Sequence, residues 1–408
     1  MRYPGADEGT WEAAFDQWLE PFLAALGHKA RRKWAPLYLR GLLGPGDRKS
    51  IQPLALRIAP KEREQIHHFV AASTWETLPL EEVLASKADA MVGGSRAHLI
   101  IDDTALPKKG DLSVGVGHQY CGALGKSANC QALVSLTLAT DNVPVPIALR
   151  LYLPRSWADD PVRRRRCGVP EELGFKPKWA IALEEIRRAI EHGVTFGDVL
   201  ADAGYGVCHE FRRGLTEMQL TWAVGISPDQ LVYPKSVRTS AQPASSCGRP
   251  STRRISSMEP RTAREAIAAL GKAAFQEIAW RDGTKGPLSC DFAAVRVRAA
   301  DGDEVVGHRH GPGEEAWLVC ERRANGQTKY YLSNRPERTP ITVLAAAIKA
   351  RWSCEQAHQQ LKEELGLDHF EGRSWHGLHH HAVLAMISFA FLQHLRLQNK
   401  APAQRLSA

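Results

Sequence analysis

Apolar residues recur with a helical period along the first part of the chain, and strand-like alternation is rare there. Five large apolar side chains fall on one helix face, at positions i, i+4, i+7, i+8 and i+11: Trp11, Phe15, Trp18, Leu19 and Phe22. A turn-forming stretch follows at 44–47. The pattern predicts a helical N-terminal domain over residues 1–95.

From residue 98 the pattern changes to short runs typical of strands. Residues 98–101 are largely apolar and end in two acids, and residues 131–139 and 146–153 supply two further runs, which together suit an antiparallel meander. A helix is predicted over 177–192, and an apolar run at 199–201 leads into Asp202. This order of strand, strand, strand, helix and strand is the opening order of a ribonuclease-H-like α/β fold.

A second strand-rich segment interrupts the α/β pattern after a strand at 221–224. Residues 236–262 are rich in Ser, Pro and Arg and poor in aliphatic residues, which predicts a disordered, basic loop. Further strands are predicted at 293–298, 316–321 and 329–332.

Helical periodicity returns at residue 342 and holds to about 397. The sequence therefore predicts a catalytic core in two parts, 96–227 and 339–400. A mostly β insertion at 228–338 interrupts this core.

Charge and cysteine usage narrow the class of protein. A formal net charge of +8, with basic runs at 28–33 and 163–166, suits phosphate contacts, although a solvated charged face is the common alternative. The 8 cysteines include no C-x-x-C pair, which argues against a disulfide framework or a zinc knuckle. No secretory signal is recognisable, and the longest apolar stretch, 382–392, is too short to cross a bilayer. We therefore expect a cytoplasmic protein with no membrane partner.

Three acids stand where metal-dependent phosphoryl transfer needs them. Asp102 and Asp202 each end an apolar strand, although a helix cap or loop acid is the commoner role for either one alone. Glu355 stands on a predicted helix, four residues after Arg351 and seven before Lys362, so that all three share one face. Salt-bridge stabilisation of an exposed helix is the ordinary meaning of that spacing. Together, however, three carboxylates can ligate two Mg²⁺ ions, with Mn²⁺ as a substitute.

These acids and their flanks resemble the signatures of bacterial insertion-sequence transposases, in the branch with a Tyr-Arg-Glu-Lys motif after a β insertion. The resemblance covers roughly residues 35–395, and the stretches that carry it are 102–104, 106–110, 113–116, 119–120, 128–131, 151–154, 202–205, 351–362 and 365–375. It departs from the branch at Ile348, where a Tyr is expected. Asp103 leaves the first ligand formally ambiguous, and Asp102 is preferred because the signature places the acid two residues before Thr104.

The resemblance implies a DDE transposase with a ribonuclease-H-like core, working at the bacterial nucleoid. Such an enzyme cuts double-stranded DNA at terminal inverted repeats and joins the 3′-hydroxyl ends to target DNA, as a homodimer in the synaptic complex. Asp102, Asp202 and Glu355 take the catalytic and metal-binding positions. Supporting DNA contacts fall to Tyr205, Arg351 and Lys362.

Three more residues are weaker candidates for DNA contact. Lys108 and Lys109 either contact phosphate or lie on a solvated turn. Trp317 either stacks on a flipped base or is ordinary core. The histidine run at 376–381 lacks cysteine partners at zinc spacing, so packing or proximity to DNA is expected there instead of zinc.

Two rival functions remain open. One is a domesticated DNA-binding regulator, or a guided accessory protein, derived from a transposase. The other is a ribonuclease-H-like nuclease without strand transfer.

Overall fold

The computed structural model describes residues 8–241, 254–283, 286–306 and 309–405. The chain forms two compact units, each of which mixes helices and strands. The first unit takes its residues from Met1–Gly197 and Trp352–Ala408, and the second is Asp198–Arg351. The second unit is therefore inserted between two segments of the first.

Within residues 8–197, the first unit contains eight α-helices and four strands. The helices are α1 (Glu8–Leu26), α2 (Lys29–Leu43), α3 (Ile51–Ile58), α4 (Arg63–His67), α5 (Leu78–Val92), α6 (Arg155–Ala158), α7 (Pro161–Cys167) and α8 (Lys178–Glu191). The strands are β1 (His98–Pro107), β2 (Gly117–Cys121), β3 (Lys126–Thr140) and β4 (Val143–Leu151).

The second unit contains most of the strands. Its elements are β5 (Asp198–Ala201), α9 (Ala203–Gly206), α10 (His209–Glu217), β6 (Trp222–Ile226), β7 (Leu231–Pro234), β8 (Thr239–Ala241), β9 (Arg254–Ser256), β10 (Arg261–Thr262), α11 (Ala263–Ala268), β11 (Gln276–Gly283), β12 (Gly286–Ala299), β13 (Gly302–Val306), β14 (Arg309–Gly311), β15 (Glu315–Arg322), β16 (Thr328–Ser333) and α12 (Ile341–Ala350). The chain then returns to the first unit with α13 (Trp352–Glu363) and α14 (Trp375–Arg405).

The predicted antiparallel meander is present in the first unit. The central strand β3 pairs antiparallel with β1 and with β4, while β2, which the sequence pattern did not predict, pairs with the start of β3. Asp141 and Asn142 join β3 to β4 with φ values of 49° and 63°. A two-residue hairpin of this kind matches the right-handed twist of the strands, and Asp and Asn tolerate positive φ better than most residues do.

The core of the first unit is built around α14. Residues 382–391 of this helix are all buried, and the helix packs against β4, α2 and α5. The predicted apolar face of α1 also packs here, since Phe15 and Trp18 both contact the ring of Phe391. The N-terminal helices therefore share their core with the C-terminal helix. The predicted boundary at residue 95 does not coincide with a boundary between compact units.

A buried ion-pair network lies within the first unit. Arg150 of β4 donates to Glu81 of α5 and, at 2.9 Å, to Glu185 of α8. Burial opposes the ionisation of Glu81, but the neighbouring guanidinium of Arg150 outweighs this, so that the pKa of Glu81 lies below its usual value. Arg150 thus links helices α5 and α8 to strand β4 through ion pairs.

The sheet of the second unit follows the order β10-β7-β12-β15-β16-β6-β5, with β11 paired to β12. β5 and β6 are parallel, and β16 continues the sheet antiparallel to β6. The β-rich segment therefore extends the same sheet as β5 and β6. The predicted division at 227–228 does not separate two compact units, because β5 and β6 belong with the strands that follow them.

The predicted disordered loop at 236–262 is partly structured. Its flanks form β8 and β9, which pair antiparallel, and β10, which pairs with β7. Residues 242–253 lie outside the described residues. Backbone pairing explains the discrepancy, because such short Ser- and Arg-containing strands are held by main-chain hydrogen bonds and need no aliphatic pattern. Separately, every helix within the described ranges is too short or too polar to span a lipid bilayer.

Candidate functional site

Asp102 lies in the middle of β1, opposite Ser135 of β3. Its side chain is half-buried, and its Oδ1 accepts a hydrogen bond of 2.8 Å from the backbone N–H of Asp103. Ser135 in turn donates to the Asp102 carbonyl at 3.1 Å. The strand therefore holds this carboxylate in a fixed position on one face of the sheet.

Asp103 faces the other side of the same sheet, because side chains alternate along a strand. Lys178, at the start of α8, forms an ion pair with its Oδ2. The Lys178 ammonium also lies 5.3 Å from the ring of Tyr152. The two neighbouring acids thus meet different elements, and the ion pair gives Asp103 a structural role.

Asp202 follows β5 directly and caps the next helix. Its Oδ1 accepts a hydrogen bond of 2.9 Å from the Gly204 N–H at the start of α9. The capping role that is common for such an acid is therefore present, with one of its two oxygens committed to it.

Two glycines allow α9 to pack closely on β6. A Cβ at Gly206 would lie 1.9 Å from the Gly225 carbonyl oxygen. A Cβ at Gly225 would lie 2.7 Å from the Ala203 nitrogen. Small residues here hold the turn that carries Asp202 directly against the sheet.

Glu355 lies in the first turn of α13, and its side chain is exposed. Lys362 lies seven residues further on the same helix and therefore on the same face. Arg351 lies in the turn between α12 and α13, directly before the first residue of α13, and its backbone is α-helical with φ −57° and ψ −27°. That Arg351 shares the face of Glu355 stays a prediction.

The inner face of α13 carries a polar cluster that sequence reasoning missed. His358 hydrogen-bonds to Ser135 at 2.7 Å, and Cys354 lies 3.4 Å from the Thr137 hydroxyl and 3.5 Å from the His358 Nε2. A ligand atom of Asp102 lies within 4.8 Å of both the Cys354 sulfur and a His358 nitrogen. The i, i+4 spacing of Cys354 and His358 was the available signal, but nothing in the sequence placed Asp102 beside them.

Three of the residues expected to contact DNA, Tyr205, Lys108 and Trp317, are engaged within the protein. Tyr205 is only 3% exposed and packs on Phe211, so its ring offers little surface to DNA. The Lys108 ammonium donates to the Phe370 carbonyl at 2.7 Å, and burial lowers its pKa. The Trp317 indole donates to the Pro336 carbonyl at 3.0 Å. Lys109 is exposed.

The two basic runs differ in how much charge they present. In α7, Arg163 and Arg164 are partly buried and donate to backbone carbonyls, which leaves Arg165 and Arg166 exposed. Lys29, Arg32 and Lys33 are exposed in the first turns of α2, where the helix dipole disfavours cations. Charge in that unfavourable position does not serve helix stability.

The histidine run packs in the core, which is one of the two roles expected for it. His379, His380 and His381 are buried, and each donates a ring N–H to a backbone carbonyl. Burial lowers the pKa of each to about 4, so they are neutral at physiological pH. Among the residues that the structure describes, none of these histidines lies in a cluster with other metal-ligating side chains.

The two units define an α/β protein in which one acid lies within a strand, one directly follows a strand and one lies in the first turn of a helix. The chain belongs to the DDE superfamily endonuclease family, whose model matches residues 21–287. The matched range includes Asp102 and Asp202 and ends before Glu355. The family part of the resemblance is confirmed, while the Tyr-Arg-Glu-Lys branch stays a prediction.

Two individual proteins are similar to this chain. The probable transposase for insertion sequence element IS701 from Microchaete diplosiphon is 28% identical over 193 residues, which are 47% of this chain and 48% of the relative. The match thus spans about half of that protein's length. The piggyBac transposase synaptic complex with hairpin DNA aligns with a TM-score of 0.42 and 10% identity, covering 94% of this chain and 72% of that one. A similarity this distant does not bear on function.

Proposed function

We propose that this protein is a DNA transposase that cuts at terminal inverted repeats and joins the 3′-hydroxyl ends to target DNA. The observation that carries the proposal is the pairing of two elements in the first unit of a DDE-family chain. Helix α13, with the exposed Glu355, packs against β1, which carries Asp102. A strand acid and a helix acid on packed elements are what the chemistry of this family requires.

The donor atoms suit divalent magnesium. Asp102, Asp202 and Glu355 offer only carboxylate oxygens, the hard ligands that Mg²⁺ and Mn²⁺ prefer. These three acids are the proposed ligands of two ions. When bound, such ions activate a water or a 3′-hydroxyl and stabilise the leaving oxygen of a phosphodiester.

The remaining roles in the proposal are positioning and charge neutralisation. Lys362 shares the helix face of Glu355 and is placed to contact a phosphate close to that acid. The exposed cations at the start of α2 and in α7 suit further contacts with the backbone of duplex DNA. Residues 1–95 would thereby contribute DNA contacts, and two copies of the chain would bring two transposon ends together.

The order of elements supports a ribonuclease-H-like core. Along the chain β1, β3 and β4 are followed by α8 and β5, which matches the predicted order of three strands, a helix and a strand once β2 and the short helices α6 and α7 are set aside. In this proposal the strands β7 to β16 are the insertion between Asp202 and Glu355.

A regulatory protein that binds DNA without cutting it is the second candidate. Asp202 caps a helix, which gives this acid a structural role that does not require catalysis. This observation favours the regulatory function. All three acids are nevertheless present, which is unexpected in a copy that has lost its chemistry.

The decisive experiment uses the DNA that flanks the gene. Purified protein with Mg²⁺ is incubated with duplexes ending in the flanking inverted repeat or in a scrambled sequence, and newly released 3′-hydroxyl ends and their joining to a supercoiled plasmid are measured. Cleavage and joining specific to the repeat are expected for the wild-type protein and not for Asp102→Asn. Binding without release of 3′-hydroxyls would establish the regulator, and cleavage without joining would establish a nuclease.

A further inference from the structure

The inner face of α13 holds donors unlike those of the proposed magnesium site. Cys354 is 0% and His358 6% exposed, and both side chains lie on the face of the sheet to which Asp102 belongs. Together they offer a thiol sulfur, an imidazole nitrogen and a carboxylate oxygen. A mixed set of this kind is typical of zinc and unsuited to magnesium, which demands oxygen ligands.

The spacing of these donors matches a tetrahedral ion. With a Zn–S bond of about 2.3 Å and a Zn–N bond of about 2.0 Å, the two ligand atoms of a tetrahedral site are about 3.5 Å apart. The Cys354 sulfur and the His358 Nε2 lie 3.5 Å apart. The Asp102 ligand atom is within 4.8 Å of both, so it would have to approach them to join the same coordination sphere.

Hydroxyl groups of strand β3 also contact the cluster. Ser135 bonds to the His358 Nε2 at 2.7 Å, and Thr137 lies 3.4 Å from the Cys354 sulfur. These hydroxyls already orient the two ligands towards one another. Metal binding would exchange the Ser135 contact for a coordinate bond, and the Cys354 thiol would release its proton to the buffer.

We propose that Asp102, Cys354 and His358 form a binding site for a zinc-like ion, with a fourth position open to water. Because Asp102 is shared, an ion held here removes a ligand from the magnesium site. Zinc therefore inhibits the cleavage reaction, and this second statement rests on the proposed function. The ion also fixes the turn of α13 that carries Glu355.

Cobalt(II) titration of the metal-free protein tests the site without any need for activity. Addition of Co²⁺ is expected to produce a thiolate-to-cobalt charge-transfer band in the near ultraviolet and the intense visible bands of a tetrahedral ion. Both should saturate at one equivalent of Co²⁺ per chain. Added Zn²⁺ should displace the Co²⁺ and abolish both. Cys354→Ser should lose the charge-transfer band, and His358→Gln should bind at least about tenfold more weakly. Cys167→Ser, which alters another buried cysteine of the same unit, is the matched control and should retain the spectrum.

The wild-type titration is decisive even if a variant fails to fold. Absence of a stoichiometric thiolate band overturns the proposal, as does a band that persists in folded Cys354→Ser. The second test is inhibition of Mg²⁺-dependent cleavage by added Zn²⁺. The Zn²⁺ concentration that inhibits Cys354→Ser should be about tenfold or more above the concentration that inhibits the wild-type protein. A cobalt spectrum without any cleavage would refute the proposed function alone, and cleavage without the spectrum would refute the zinc site alone.

Discussion

Lys178 forms an ion pair with Asp103, the acid that directly follows Asp102 on β1. Strand alternation turns Asp103 towards α8 and leaves Asp102 on the face that meets α13. An acid that is paired with lysine on the far face has a structural explanation. The ion pair therefore favours Asp102 over Asp103 as the proposed ligand.

Replacing each of these acids separately should give unequal results. Asp102→Asn removes several kcal/mol of transition-state stabilisation, so Mg²⁺-dependent cleavage should fall by about three powers of ten. Asp103→Asn breaks only a partly exposed ion pair, which is worth about 0.5–1 kcal/mol of stability, and its cleavage rate should stay within about tenfold of wild type. Rates of end cleavage, compared after circular dichroism has confirmed folding, provide the measurement. Equal losses in the two variants would contradict the assignment.

Asp202 combines a capping role with a proposed catalytic one, and two substitutions separate them. Asn caps a helix as well as Asp does, whereas Ala loses about 1 kcal/mol. Asp202→Asn should therefore keep the wild-type melting temperature and still lose cleavage. Asp202→Ala should have a lower melting temperature and should also lose cleavage. DNA binding, measured by gel shift, should survive in both variants. If Asp202→Asn cleaved DNA at the wild-type rate, the acid would be a helix cap only.

Gly206 is required for the close packing of α9 on β6. The Cβ of an alanine would lie 1.9 Å from the Gly225 carbonyl oxygen and 2.8 Å from a Val224 methyl, so the turn must shift. Gly206→Ala should reduce the free energy of unfolding by about 1–3 kcal/mol and weaken cleavage through displacement of Asp202. Gly110→Ala, which has nothing within 4 Å of its Cβ, is the control. Thermal melts in which the two variants matched would refute this packing argument.

Glu321 makes the stability of the second unit sensitive to acid. Burial opposes its ionisation, but hydrogen bonds from Arg323 at 2.8 Å and Lys349 at 2.9 Å outweigh burial and lower its pKa to about 2. Since the folded pKa lies below the unfolded value of about 4.3, the stabilisation is complete above that value and is lost as the pH falls towards 2.

The corresponding experiment compares urea unfolding of wild-type and Glu321→Gln protein between pH 7 and pH 3. The variant should be less stable by about 3 kcal/mol at pH 7, because it removes the buried anion that pairs with the largely buried Lys349 and the half-buried Arg323, and this difference should shrink below pH 4. Glu337→Gln, at an exposed pair with Lys235, should match the wild-type protein throughout. A difference between wild type and Glu321→Gln that does not depend on pH would show that the carboxylate is not the acid-sensitive group.

Local periodicity was sufficient to predict most elements of the fold. The apolar face of α1, the meander, α8 and the strands β12, β15 and β16 could all be predicted from it, because their apolar residues recur at a regular spacing. The strand β2 was missed since only Cys121 of its five residues is buried. The compact units were also missed, because α14 completes the core under α1 from a position far along the chain.

The candidate site could be predicted less completely than the fold. Motif order identified Asp102, Asp202 and Glu355, whose roles in catalysis stay predictions. Sequence spacing alone could not foresee that Arg351 lies in a turn before α13, that Tyr205 is buried, or that Lys108 is bonded to Phe370. Each of these depends on tertiary contacts instead of on residue type.

The position of α14 at the centre of the first unit limits how such a gene can decay. A premature stop anywhere before Trp375 would remove the helix against which α1, α2, α5 and β4 pack. The shortened chain would expose Phe15 and Trp18, and it would fail to fold instead of persisting as a small DNA-binding fragment. A regulator descended from this protein would therefore have to keep nearly the whole chain and lose its chemistry by point substitution.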